Sequence, residues 1–300
     1  MKKIILLFLL SPFFAFAQDD LLGELEKTKT EGPDYTIATF KGTRLVNGHT
    51  IETKNAGSLE FIFQHRFGAI NGGLYEMYGL DEAFVRLGLD YGITDRLSVS
   101  VGRNSADKIM DGYVKYKVLR QSSGARVMPF AVTALGGLAY SISPKKDEEP
   151  AGFKAVDRLA YVGQLLIARK FTTALSLQIM PTFIHKNAVN QFTEKNDQIA
   201  VGIGGRLKLT KSVALTSEYY YRINPPDNDR FAQLQQDKRY NAIGFGVDIE
   251  TGGHVFQLVI TNTSSLTERT VITQTTGDFF GGDIHLGFNV TRTFQLKKNK

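Results

Sequence analysis

The 300-residue chain has no cysteine and no tryptophan. Without cysteine it can form neither disulfides nor thiolate metal sites. Without tryptophan, any belt of interfacial aromatics must come from its 12 tyrosines and 21 phenylalanines. Histidine is scarce, at five residues, and no HxxxH or HExxH pair occurs. A zinc site of the usual spacing is therefore not expected. Charge of one sign does not dominate, since the net value is only +6. No basic run with interleaved aromatics is present, so nucleic acid is not an expected partner. Beyond the first residues, no apolar run approaches the roughly 20 that a membrane-crossing helix requires. Mean hydropathy is -0.15, which a membrane barrel would also show, because its wall alternates lipid-facing and lumen-facing residues.

The first residues read as a targeting segment. Lys2 and Lys3 form a basic start, and Ile4 to Phe16 is an apolar run of about 13 residues, short for a spanning helix. Ala15-Phe16-Ala17 has the small-x-small form of a cleavage site, so residues 1–17 are expected to be a signal peptide cut before Gln18. No cysteine follows to carry a lipid anchor. Loss of Lys2 and Lys3 would lower the net charge from +6 to +4. Residues 18–55 form a distinct segment. Its first part, 18–34, is acidic, with Leu21, Leu22 and Leu25 on one helical face ahead of Gly32-Pro33. Its second part contains Asn47-Gly48, a hairpin signal. The segment is expected to be a mobile leader, a periplasmic cap or a luminal plug.

From residue 56 to the end the pattern has period two. Leu59, Phe61 and Phe63 alternate with Glu60, Ile62 and Gln64, and similar runs recur to Ile284–Val290 against His285, Gly287 and Asn289. About twelve such runs are present, most of nine to twelve residues. That is the length of tilted transmembrane strands rather than of soluble ones, which average roughly 5–6 residues. Short and long connections alternate between them. Three short ones repeat a motif in which Thr94, Thr172 and Thr210 precede Leu97, Leu175 and Val213 by the same offset. Outer-membrane barrels have short periplasmic turns and longer external loops. The expected fold is therefore an all-β, antiparallel transmembrane barrel of about twelve strands in the outer membrane, with both termini periplasmic. The final strand, with Phe294 near its end, has the form of a signal for the barrel-assembly machinery, although Lys297–Lys300 follow it.

The same parity sorts the charges. Glu60, Arg66, Arg86, Asp90, Arg96, Lys115, Lys117, Arg158, Lys170, Arg206, Lys208, Glu218, Arg222 and Asp248 fall on the lumen side, ten basic against four acidic. Facing lipid near midplane, an Arg or Lys would cost about 2–4 kcal/mol. These residues are the candidate lumen lining. They would serve as a self-paired network, as a dock for the acidic stretch 18–34, or as an open anion-favouring pore. Gly202 and Gly204 of "VGIGGR" share that parity and lack the full spacing of a nucleotide loop, so they are expected to relieve crowding inside the wall.

Four stretches carry a family resemblance: "FKGTRLVNGHTIET" (Phe40 to Thr53), "FIFQHRFG" (Phe61 to Gly68), "GGLYEMYGLD" (Gly72 to Asp81), and "RLGLDYGITDRLSVSVGRN" through "DGYVKYKVLRQ" (Arg86 to Gln121). With these the chain resembles a family of outer-membrane β-barrels of Bacteroidota built on a domain of unknown function. The resemblance implies a membrane-embedded barrel and brings no substrate, cofactor or catalytic residue. The expected function is a passive or plugged conduit, or a scaffold, with a net basic lumen, and not an enzyme. Outer-membrane lipid and the assembly machinery are the expected partners. Two other readings stay open: a hydrolase with its site at the external rim, and a soluble periplasmic β-barrel binding protein.

Overall fold

The structure is a computed structural model, and it describes residues 32–106, 108–142, 152–190, 194–234 and 237–297. The expected signal peptide and most of the acidic stretch lie outside these residues. Twelve strands close into one antiparallel barrel: β1 (Ser58–Ala69), β2 (Ala83–Gly92), β3 (Leu97–Asn104), β4 (Ile109–Leu119), β5 (Ala131–Ser141), β6 (Leu159–Lys170), β7 (Leu175–Lys186), β8 (Asp197–Lys208), β9 (Val213–Arg222), β10 (Ile243–Thr251), β11 (His254–Thr261) and β12 (His285–Gln295). Each pairs with its sequence neighbours, and β12 returns to β1 with Phe294 opposite Leu59. Closure leaves no unpaired edge, which a lipid environment requires. Among the described residues no helix is long and apolar enough to cross a membrane.

The alternation seen in the sequence is the inside–outside alternation of the wall. On β7, Ser176, Gln178, Met180, Thr182, Ile184 and Lys186 are buried, while Leu177, Ile179 and Phe183 are exposed. On β9, Ala214, Thr216, Glu218, Tyr220 and Arg222 are buried, and Leu215 and Tyr221 are exposed. A buried row of polar residues opposite an exposed row of large apolar ones is the reverse of a water-soluble protein. It suits a barrel with lipid outside.

The repeated threonine motif has a specific job. Thr94 Oγ1 accepts from the backbone N–H of Arg96 at 3.2 Å and of Leu97 at 3.0 Å. Thr172 does the same for Ala174 and Leu175 at 3.1 and 2.9 Å, and Thr210 for Ser212 and Val213 at 3.3 and 3.0 Å. The hydroxyl satisfies amides that the reversal takes out of the ladder. Arg96 is corrected by this geometry. It lies in the exposed turn, not in the lumen, because the pleat that sets parity ends before it. Arg158 likewise ends a short 3-10 turn, Ala155–Arg158, ahead of β6.

All long connections emerge at the opposite rim from these turns. Among the described residues two of them contain short α-helices, α1 (Asn228–Gln233) and α2 (Glu268–Thr273), and the first long connection holds a 3-10 stretch, Ile70–Gly79. At the short-turn rim, Pro33–Tyr35 pairs with Ser122–Gly124 in a small ribbon. From there the chain enters the barrel, and it leaves at the same rim, where Gly57 donates to the carbonyl of Gly92.

Candidate functional site: the occupied lumen

Residues 39–53 lie inside the barrel. Phe40, Leu45, Val46, Asn47, His49, Thr50 and Ile51 are each at most 2% exposed. Asn47-Gly48 forms the expected reversal, with Leu45 N–H donating to Gly48 O at 2.9 Å and Thr50 N–H to Thr43 O at 3.0 Å. Beyond these bonds the segment has no strand neighbour. Buried backbone groups still need partners, and here the wall side chains supply them.

Donors on the wall meet carbonyls of the segment. Lys115 Nζ donates to Thr43 O at 3.0 Å, to Thr50 O at 3.1 Å and to Glu52 O at 3.3 Å. Arg66 Nη2 reaches Val46 O at 3.2 Å and Asn47 Oδ1 at 2.8 Å. Asn289, Gln257 and Thr133 donate to the carbonyls of Val46, Leu45 and Ile51 at 3.0, 2.8 and 2.8 Å. The Gln178 side chain behaves like a peptide unit, accepting from Ile51 N–H and donating to His49 O, both at 2.8 Å.

Acceptors on the wall meet donors of the segment. The Glu218 carboxylate takes the three successive N–H groups of the reversal: Val46 at 3.2 Å, Asn47 at 2.7 Å and Gly48 at 3.0 Å. Charge-assisted bonds of this kind are the stronger class. Glu60 accepts from Thr43 Oγ1 at 2.8 Å and Lys54 Nζ at 2.7 Å. These contacts come from β1, β4, β5, β7, β9, β11 and β12, so the segment is gripped from around the barrel.

Space is arranged to match. A methyl group on Gly48 would stand 1.9 Å from the Tyr220 hydroxyl, and one on Gly204 would stand 2.2 Å from Leu45 Cδ2. A methyl on Gly244 would meet Val46 at 2.8 Å. The inward glycines thus make room for the tip of the hairpin.

A second element fills the lumen from the long-loop side. Leu266, Thr267, Glu268, Thr270, Val271, Ile272 and Thr273 are buried, and Val271 and Ile272 join Leu45, Ile51, Leu166, Met180 and Tyr220 in one apolar cluster. The two elements meet at Glu268, whose Oε1 accepts from Arg44 Nη1 and lies 3.0 Å from His49 Nε2. The His49 ring also packs edge-on against Tyr113, with centroids 4.2 Å apart. Burial, and then the Arg44 charge, push the His49 pKa down to about 3. Glu268 is held well below the usual carboxylate range: burial opposes this, but Arg44 and His49 outweigh it.

The remaining expected lumen residues pair within the wall or near its rims. Arg86 bonds Asp111 at 2.5 Å and Gln64 at 3.1 Å. Asp90 accepts from Ser100 and from the Tyr113 hydroxyl, the latter at 2.8 Å. Arg206 pairs with Glu250, and Asp248 accepts from Gln257 at 2.9 Å. Arg222 Nε donates to Asn241 at 3.2 Å, Lys117 lies 3.5 Å from Glu52, and Lys170 donates to Ile37 O at 3.0 Å. Lys208 is half-buried at the end of β8. Residues 18–31 of the acidic stretch, one candidate for docking inside, lie outside the described residues. Its described end, Gly32–Asp34, sits at the rim, and the occupant is 39–53. Gln178, Gln257, Asn289 and Thr133 were not singled out from the sequence because they are uncharged, although their parity already placed the first three inward. Glu268, in a long loop, carried no signal.

The histidines of the strands lie near their ends. His65 stacks on Phe288 with centroids 5.0 Å apart, His185 Nδ1 lies 2.6 Å from Asp197, and His285 Nδ1 lies 2.9 Å from Phe67 O. No metal-holding cluster of His, Cys, Asp and Glu occurs among the described residues.

A closed barrel with an apolar exterior and an occupied polar interior defines a membrane-bound β-barrel protein. The model of the membrane bound beta barrel domain family (DUF5777) matches residues 40–294, and the chain belongs to that family. Its match begins at Phe40, so it takes in most of the buried segment together with the wall. Among solved structures, the NanC porin is 11% identical with a TM-score of 0.47, covering 80% of this chain and 100% of its own. The KdgM porin is 10% identical with a TM-score of 0.45, covering 79% and 99%. Salmonella typhi OmpF in complex with daunomycin is 8% identical with a TM-score of 0.38, covering 79% and 97%. No curated protein matches the chain in sequence.

Proposed function

We propose that the protein is an outer-membrane conduit held closed at rest by its own N-terminal segment, a gated channel and not an enzyme. The observation that carries this reading is the source of the segment's hydrogen bonds. Its backbone groups are satisfied mainly by side chains of the wall, as in the three-carbonyl grip of Lys115 and the three-amide grip of Glu218. A segment bonded through side chains, not woven into the sheet, can leave without unzipping a single strand ladder. Both of its ends meet the short-turn rim, so it withdraws from one side. The net basic character of the wall serves this function first. Arg66 and Lys115 hold carbonyls of the segment, and only its departure would present them to an anionic solute.

The signal-peptide pattern at the start of the sequence, the even strand count and the short turns beside both ends of the described residues support placing that rim in the periplasm of an outer membrane. Assembly would pass through the barrel-assembly machinery, with Phe294 in the closing strand.

Planar-bilayer recording tests the proposal. The full chain is expected to show almost no conductance, and deletion of residues 32–55 a steady ion current. Equal conductance from both proteins, or a sealed bilayer after the deletion, would sink it. Heat-modifiable gel migration confirms that each protein has formed its barrel.

A further inference from the structure

Among the described strand residues, the outward parity carries very few charges: Arg103, Arg169, Arg292 and Asp197, all close to strand ends. Arg169 differs from the rest in its surroundings. Its guanidinium carbon lies 5.0 Å from the centroid of the Phe171 ring and 5.8 Å from that of Phe130. Its Nε is buried and has no hydrogen-bond partner. It stands at the head of a groove of about 500 Å³ on the outer face of the wall. Ser217 on β9, directly opposite Gly205 on β8, forms the floor between Ile203 and Ile243, while Leu177 Cδ2 leans over Gly205, 2.9 Å from where a methyl group there would stand.

A groove that is apolar along its length and cationic at one end, next to aromatic rings at the membrane boundary, is complementary to one kind of molecule. We infer that it seats a single anionic phospholipid of the short-turn leaflet, with an acyl chain over Ser217 and the phosphate on Arg169. A guanidinium matches a phosphate through paired N–H bonds, and the phosphate supplies the acceptor that Arg169 lacks within the protein. The flanking rings keep the side chain at the interface and off the hydrocarbon. Arg292, over Phe294 with its guanidinium carbon 4.8 Å from the ring centroid, faces lipid at the same rim and does not line this groove. It is the natural control. The inference is independent of lumen closure, since none of these outward groups touches the segment inside.

Native mass spectrometry of the full chain in detergent tests it, with phosphatidylglycerol, phosphatidylcholine of the same acyl chains, or inorganic phosphate added in turn. One phosphatidylglycerol is expected to be retained in preference to phosphatidylcholine, and inorganic phosphate to leave no adduct. Arg169→Leu should weaken the phosphatidylglycerol adduct about fivefold, the share of one interfacial cation. Ser217→Leu, which fills the floor and keeps the charge, should weaken adducts of both lipids. Arg292→Leu should change nothing. Equal retention of the two lipids, an unaffected Arg169→Leu variant, or the same loss from Arg292→Leu would overturn the site. An inorganic phosphate adduct lost with Arg169→Leu would reduce it to a bare anion site. Heat-modifiable migration shows that every variant has formed its barrel.

Discussion

Two elements fill this barrel, and they are built on opposite principles. The N-terminal segment borrows its hydrogen bonds from the wall. The long-loop element around α2 largely satisfies itself: Thr273 and Thr275 hydroxyls donate back to Arg269 and Val271 carbonyls, both at 2.6 Å, and Asn262 ties down Gly277 O at 2.8 Å. Its buried face mixes Leu266, Val271 and Ile272 with Thr267, Thr270, Thr273 and Thr275. The difference teaches which of the two is suited to leave. Removing the loop element would break its own local bonds as well as expose Leu266, Val271 and Ile272. Removing the segment exposes Phe40, Leu45, Val46 and Ile51, but its side-chain bonds are exchanged for bonds to water, which can replace them at little net cost. The two share an apolar cluster and one polar joint, Glu268.

Substitution at that joint is expected to have the largest effect. Glu268→Leu leaves Arg44 buried without its carboxylate, a loss of about 3–5 kcal/mol by comparison with broken buried pairs. The variant should conduct without any deletion, and a silent bilayer would show that the joint does not hold the gate. Next comes Glu218→Leu, which orphans the amides of Val46, Asn47 and Gly48. A cost of about 3 kcal/mol is expected, seen as a leak current with the barrel's heat-modifiable migration intact. Lys115→Met should follow at about 2 kcal/mol, because three carbonyls lose a donor but carbonyls tolerate this better than amides. If these two variants conduct no more than the parent, the segment is not held by the wall in the way the bonds suggest.

Acidity sharpens the same comparison. His49 is neutral when buried, with its pKa lowered from 6.5 to about 3. Once released into water it would regain the ordinary value and take up a proton. Between these values the released state binds more protons, so closure is strongest above about pH 6.5 and weakens steadily as pH falls toward 3. Arg44, Glu268, Lys115 and Tyr113 surround the ring, and the depressed Glu268 would add its own loss only at more acidic pH. Conductance of the full chain should therefore rise on acidification, and His49→Gln should flatten that rise above pH 4.5. An unchanged profile in the variant would remove His49 from the gate. The smallest effect is expected away from both elements. Thr210→Val loses an acceptor for two exposed turn amides, which water can serve, so a change of under about 1 kcal/mol and no leak are expected. A leak from this variant would mean that the turns, not the lumen contacts, control closure.

Much of the wall was legible before any coordinates. Alternation over long runs placed Glu60, Arg66, Arg86, Asp90, Lys115, Glu218 and Asp248 on the face that is buried in the structure. Short and long connections set the two rims, and the spacing of Thr94, Thr172 and Thr210 marked three turns of one design. Arg96 was misplaced because parity counts residues and does not see where a pleat ends. The lumen's contents were less readable. Asn47-Gly48 announced a reversal, but nothing local says that its amides face a carboxylate on β9, 170 or more positions away in the chain.

The sequence by itself determined the barrel: its parity, its strand count and the division of its connections between a short-turn rim and a long-loop rim. These are properties of neighbours along the chain, fixed by a side-chain period of two and by turn chemistry. Only the tertiary structure decided what the inward charges are for. Closing the sheet brings Lys115, Gln178, Glu218 and Gln257 from separate strands around one short peptide, and it brings Glu268 down from a distant loop to meet Arg44. Which groups share a closed interior depends on registers summed around the whole ring, and no local pattern encodes that sum.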